Sequence, residues 1–181
     1  VAILISFLLF AQGHTVYMYN YLFKDPYLLW SDNAEKAPNL SGPRNNVGVA
    51  LSEMGLYDEA YKSYEKAYRL NKDDQLLMIA LPINNMGYYY FRNKDYETAM
   101  SYIKNGLEIN PKNSMAVLIF AKTKIHLNDL QGAEKTTRHA LMNWPHDAEF
   151  RALLSFILIK QGKYENAIKE AWKTLVIDSE F

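Results

Sequence analysis

The sequence predicts an all-α chain, a solenoid of stacked helix pairs preceded by an N-terminal transmembrane helix. Three observations lead there. Val1–Phe23, VAILISFLLFAQGHTVYMYNYLF, contains no Lys, Arg, Asp or Glu. Four later segments superpose on Ala60, Ala99, Ala133 and Ala167, with steps of 39, 34 and 34 residues. Small residues then recur at fixed offsets from those alanines, which is the spacing of helices packed closely in a repeating array.

The first element is the charge-free stretch 1–23. At about 1.5 Å per residue it reaches roughly 34 Å as a helix, against a hydrocarbon core of about 30 Å. Val1–Ala11 is nearly pure hydrocarbon, and Tyr17, Tyr19 and Tyr21 cluster as aromatics do at a membrane interface. The stretch reads as a membrane helix, and the non-Met first residue leaves open that it is cut at its N-terminal end. A signal peptide has an apolar run of this length but also a basic start and an A-x-A-like cleavage site, both absent here. A buried core helix is the remaining alternative. No basic cluster follows Phe23, which favours an extracytoplasmic side for the rest of the chain.

Residues 24–40 form a junction. Asp25-Pro26 opens a helix expected over about 26–37, because proline suits the first helical turn. Pro26 lies 34 residues before Ala60, so this helix reads as the second half of a degenerate repeat, with Trp30 in the aromatic place that Tyr64 holds later.

The repeats occupy 41–181, as segments 41–74, 80–113, 114–147 and 148–181. Twelve residues before each alanine sit Gly48, Gly87, Ala121 and Ser155, and seven after sit Ala67, Gly106, Ala140 and Thr174. These let paired helices approach closely. Three before are Tyr57, Tyr96, Leu130 and Tyr164, which are expected to fill the wedge between helices. Pro111 and Pro145 separate successive pairs. The 39-residue step predicts a longer first helix in the second repeat, starting near Asp74 and bent at Pro82. A bulge between repeats is the alternative.

This pattern resembles the tetratricopeptide repeat (TPR), most strongly in GLYDEAYKSYEKAYRLNKDD and NKDYETAMSYIKNGLEINPKN. The resemblance implies a right-handed solenoid whose first helices line a concave groove that binds a protein or peptide. Carried onto this sequence by phase, the groove comprises Asn45, Glu53, Asn84, Tyr88, Phe91, Arg92, Lys122, His126, Phe156 and Lys160. It combines cations with aromatic rings, which suits an extended peptide or helix of acidic character.

The junction carries a second resemblance. Thr15, Tyr17 and Asn20, then Leu29-Trp30, Asp32, Lys36, Pro38, Arg44, Asn46 and Gly48, follow the order found where polytopic membrane glycosyltransferase-like proteins pass into C-terminal TPR domains. The transmembrane-and-TPR O-mannosyltransferases are of this type. Tyr19 and Val47 depart from that pattern. The resemblance implies an extracytoplasmic tail of such an enzyme, with the catalytic acids in an earlier loop that this sequence does not match.

Chemistry of its own is not expected of this chain. It has no cysteine, which excludes disulfides, thiolate metal sites, Fe–S clusters and a cysteine nucleophile. It shows no phosphate-binding loop, no H-E-x-x-H and no nucleophile elbow. His14, His126, His139 and His146 have no i, i+4 spacing, so no metal site is expected, nor any cofactor or catalytic residue. Twenty basic residues balance twenty acidic ones, which argues against a nucleic-acid partner. The expected function is a membrane-tethered protein-interaction module, either the tail of a glycosyltransferase-like protein or a single-span subunit bracing a larger complex. A soluble TPR co-chaperone would require Val1–Phe23 to be buried.

Overall fold

The structure is a computed structural model that describes residues 23–70 and 76–179. Among the described residues it is all-α, with nine helices: α1 Pro26–Lys36, α2 Ser41–Glu53, α3 Tyr57–Leu70, α4 Leu76–Arg92, α5 Tyr96–Ile109, α6 Ser114–His126, α7 Leu130–Asn143, α8 Ala148–Lys160 and α9 Tyr164–Ser179. The chain divides into two compact units between Asp74 and Gln75. The first holds α1–α3 and the second α4–α9. The membrane helix expected at Val1–Phe23 lies, up to Leu22, outside the described residues. No helix among the described residues is long and apolar enough to cross a membrane.

In the first unit, α1 begins as its sequence dictates. Asp25 Oδ1 accepts from the Tyr27 and Leu28 amides at 2.9 and 3.2 Å, and Pro26 takes the first helical position. α2 packs against both α1 and α3. At the α2–α3 crossing a Cβ on Gly48 would lie 2.5 Å from Cε1 of buried Tyr64, so only glycine permits this approach.

The second unit stacks three helix pairs, α4–α5, α6–α7 and α8–α9, each touching the next. The small-residue ladder is the core of that stack: Gly87, Ala99, Gly106, Ala121, Ala133, Ala140, Ser155 and Ala167 are all buried. One apolar cluster joins Ala99 and Ile103 of α5 to Ala116 and Ile119 of α6. The next joins Leu118 and Ala121 of α6, Ala133 and Ala140 of α7, and Phe150, Leu153 and Ile157 of α8. Where α7 lacks the repeat's aromatic, Thr137 fills the place fully buried, its hydroxyl donating to the Ala133 carbonyl at 2.8 Å. Ser155 Oγ donates across the α8–α9 pair to the Ala167 carbonyl at 2.9 Å.

α4 accounts for four of the five extra residues of the long step. Its fellow first helices α2, α6 and α8 have 13 residues each, and α4 has 17. The others start seven residues before their small residue, while α4 starts eleven before Gly87. This extra turn moves Pro82 into the helix interior, where it is buried. The equivalent Pro43 of α2 sits in the first turn, where a missing N–H costs nothing.

The wedge tyrosines differ from expectation at one position. Tyr57, Tyr96 and Leu130 are half-buried, but Tyr164 is 64% exposed. Among the described residues no further helix packs on α9.

Candidate functional site

The residues selected by phase fall into three environments. Those seven before each alanine, Glu53, Arg92, His126 and Lys160, are the last residues of α2, α4, α6 and α8, and all four are exposed. Three are basic, which also suits the negative end of a helix dipole. Glu53 carries the opposite sign and belongs to the first unit.

Asn45 and Asn84 were expected to meet a ligand, yet they are 5% and 6% exposed. The Asn45 amide donates to Asn46 Oδ1 at 3.4 Å. Asn84 lies against Gly106, where a Cβ would come within 2 Å of its Oδ1, and neither of its amide atoms has a hydrogen-bond partner. Phase placed Asn84 on an inner helix, but close packing against Gly106 draws its short side chain inward.

Five of the ten candidates, all in the second unit, meet. Phe91 from α4, Lys122 and His126 from α6, and Phe156 and Lys160 from α8 line one cleft of about 620 Å³. Ile125, Leu130 and Leu153 add apolar lining. The three helices reach it because α6 touches both α4 and α8. Tyr88 is half-buried and packs on the α5–α6 cluster.

Aromatic contacts set the geometry at one end. The His126 ring stacks on Tyr96 at 4.3 Å with an interplanar angle of 6°, and Phe91 meets its edge at 5.6 Å. At the other end, Lys160 Nζ lies over the Phe156 ring, 5.4 Å from its centroid. Between them, Lys122 Nζ is held by Glu149 Oε1 at 2.9 Å. Sequence spacing put Lys122 in the cleft but did not show this acid, which comes from the next repeat at a separation of 27 residues. An anionic ligand therefore competes with Glu149 at Lys122. The cleft offers rings, an aliphatic floor and cations, which can seat a peptide with apolar and acidic side chains. Among the described residues no group of His, Cys, Asp or Glu is placed to hold a metal ion.

A sharper backbone feature escaped the sequence reading. Five residues before each alanine, Gly55, Lys94, Asn128 and Gly162 have φ of +81°, +63°, +63° and +75°. In each turn the next amide reaches back to the first helix: Leu56 to the Leu51 carbonyl, Asp95 to Tyr90, Asp129 to Lys124 and Lys163 to Leu158, all at 2.8–3.0 Å. This is the glycine-type helix stop, repeated four times in register.

Comparison with known proteins agrees with this fold. The family model for subunit 3 of the anaphase-promoting complex, or cyclosome, matches residues 53–140. The anaphase-promoting complex subunit CDC16 of Saccharomyces cerevisiae is 24% identical over 147 residues, covering 77% of this chain. The chain spans only 17% of that curated relative's length. A structure of MamA from Desulfovibrio magneticus RS-1 superposes with a TM-score of 0.69 at 16% identity, covering 83% of this chain and 82% of that one. YrrB, described as a TPR protein with an unusual peptide-binding site, superposes at 0.64 and 16% identity, covering 91% and 81%. These likenesses show a TPR-type fold. The family match begins at residue 53, beyond the junction at 10–50 where the glycosyltransferase-like resemblance lies.

Proposed function

We propose that this chain is a protein-interaction module whose second unit seats an extended peptide or helix of a protein partner in the α4–α6–α8 cleft. The observation that carries this is the convergence of Phe91, Lys122, His126, Phe156 and Lys160 from three helices on one cleft with an aliphatic floor. Its cations and rings favour a segment in which acidic residues flank an aliphatic or aromatic one. Arg92, at the exposed end of α4, extends the basic margin. A peptide-display library panned on the intact chain tests the reading. Enriched peptides should carry Asp or Glu beside an apolar residue. Lys160→Glu should then weaken the best peptide about tenfold or more, with helicity unchanged. A basic consensus, or none, would sink the proposal.

We infer further that Val1–Phe23 tethers the module to a membrane with its helix pairs on the extracytoplasmic side. The charge-free 23 residues and the absence of a basic cluster after them support this. Two forms differ in class: the tail of a glycosyltransferase-like protein, supported by the junction residues, and a subunit bracing a larger assembly, supported by similarity to a subunit of a complex. The intact mass of the native polypeptide distinguishes them. A species several times 21.0 kDa favours the tail, and one close to that mass favours the subunit.

A further inference from the structure

Asn128 lines the α4–α6–α8 cleft, and among the described residues its side-chain amide makes no hydrogen bond. The cations and the imidazole of the cleft are engaged: Lys122 by Glu149 at 2.9 Å, His126 by stacking on Tyr96, and Lys160 by the ring of Phe156.

The turn itself has no use for that side chain. Asn128 sits at φ +63°, while Gly55 and Gly162 make the equivalent turns with no side chain at all. Glycine enters this conformation at lower cost than asparagine does. The backbone at Asn128 is fixed on both sides. Its N–H donates to the Ile125 carbonyl at 3.0 Å, and the next N–H, of Asp129, donates to the Lys124 carbonyl at 2.8 Å. Little beyond the side-chain torsions of Asn128 is left to be ordered when a ligand arrives. The residue is exposed, and Ile125, Leu130 and Leu153 give the same cleft its aliphatic floor. A ligand that covers this floor removes water from the amide, and a hydrogen bond made there gains strength.

An asparagine side chain has the chemistry of a peptide group, a carbonyl that accepts and an NH2 that donates. It can pair with one peptide unit as a neighbouring strand would. An extended segment presents such units along its whole length. A helix does not, because its N–H and C=O groups bond to each other four residues apart. The cation on Lys160, which has no carboxylate partner among the described residues, calls for an acid in that segment.

We propose, resting on the cleft as the partner's seat, that Asn128 reads the ligand's backbone there. The ligand is an acidic peptide bound in extended form, with one of its peptide groups paired to the Asn128 amide.

The probe is the highest-affinity peptide from display selection on the intact chain, labelled with fluorescein and followed by anisotropy. Asn128→Gly keeps the turn and should weaken binding about tenfold. Lys94→Gly, the same replacement in the equivalent turn of the repeat before, should leave it unchanged. Replacing the peptide's amides by esters one at a time should find a position that weakens binding to the natural chain about fivefold or more and has little effect on Asn128→Gly. Transferred nuclear Overhauser effects on the bound peptide should show strong contacts from each Hα to the next N–H. Full affinity in Asn128→Gly, the same ester profile in both chains, or the successive N–H to N–H contacts of a helix each overturn the proposal while Lys160→Glu still weakens the peptide. No enriched peptide, or one that binds Lys160→Glu equally well, removes the cleft reading and the role of Asn128 with it.

Discussion

Lys94 and Asn128 are the residues at which this fold stores backbone strain. Each sits at φ +63° in a turn whose equivalents are Gly55 and Gly162. A side chain disfavours that region, Asn less than Lys. The turn persists because the two amides after each first helix are satisfied there, Lys94 to the Phe91 carbonyl at 3.1 Å and Asp95 to Tyr90 at 3.0 Å. Lys94→Gly should therefore raise stability by about 1 kcal/mol, less the added freedom of the unfolded chain. Urea unfolding with an unchanged m-value checks this, and no gain would mean that Lys94 makes compensating contacts. Gly55 and Gly162 were visible as glycines before a second helix. Lys94 was not, since no local signal marks a lysine for this conformation.

Between elements, the acid Glu134 ties α7 to the turn before α9. It accepts from Lys163 Nζ at 2.9 Å and from Arg138 Nε, one turn along its own helix, at 2.8 Å. Lys163 foremost, with Arg138 and Gln161, holds its carboxyl down from the ordinary 4.5 to about 2, against the opposing effect of burial. The folded state thus binds this proton less readily than the unfolded state does. The stabilisation is complete above about pH 4.5 and is lost as pH falls towards 2. Glu134→Gln should lower the melting temperature at neutral pH and flatten its fall across that acid window; an unchanged acid limb would show that other carboxylates carry it. The partners of Glu134 in α7 follow from i, i+4 spacing, but the Lys163 contact spans 29 residues and needed the stacking of pairs.

Across the whole molecule, stacked pairs predict that damage stays local, because each pair is stabilised by its immediate neighbours. Leu154 of α8 is buried with Leu158, Ala167 and Leu141 at the last pair. Leu154→Ala should cost about 2–5 kcal/mol. Hydrogen exchange should quicken in α7–α9 while α4 and α5 keep their protection. Uniform acceleration throughout α4–α9 would indicate that the second unit unfolds as a single block.

The all-α class, the four alanine-centred pairs and the extra length of α4 were all written locally in the chain. Periodicity, small residues and proline act within one or two helical turns, so their effects can be summed along a sequence. The five cleft residues were legible for the same reason, since the repeat phase assigns a side to each position. Side-chain partners were not. Lys122 meets Glu149, and Asn84 turns against Gly106 rather than into solvent, because those contacts join residues more than 20 apart. Which charges a cleft offers depends on how neighbouring pairs stack. Only the tertiary structure could decide this.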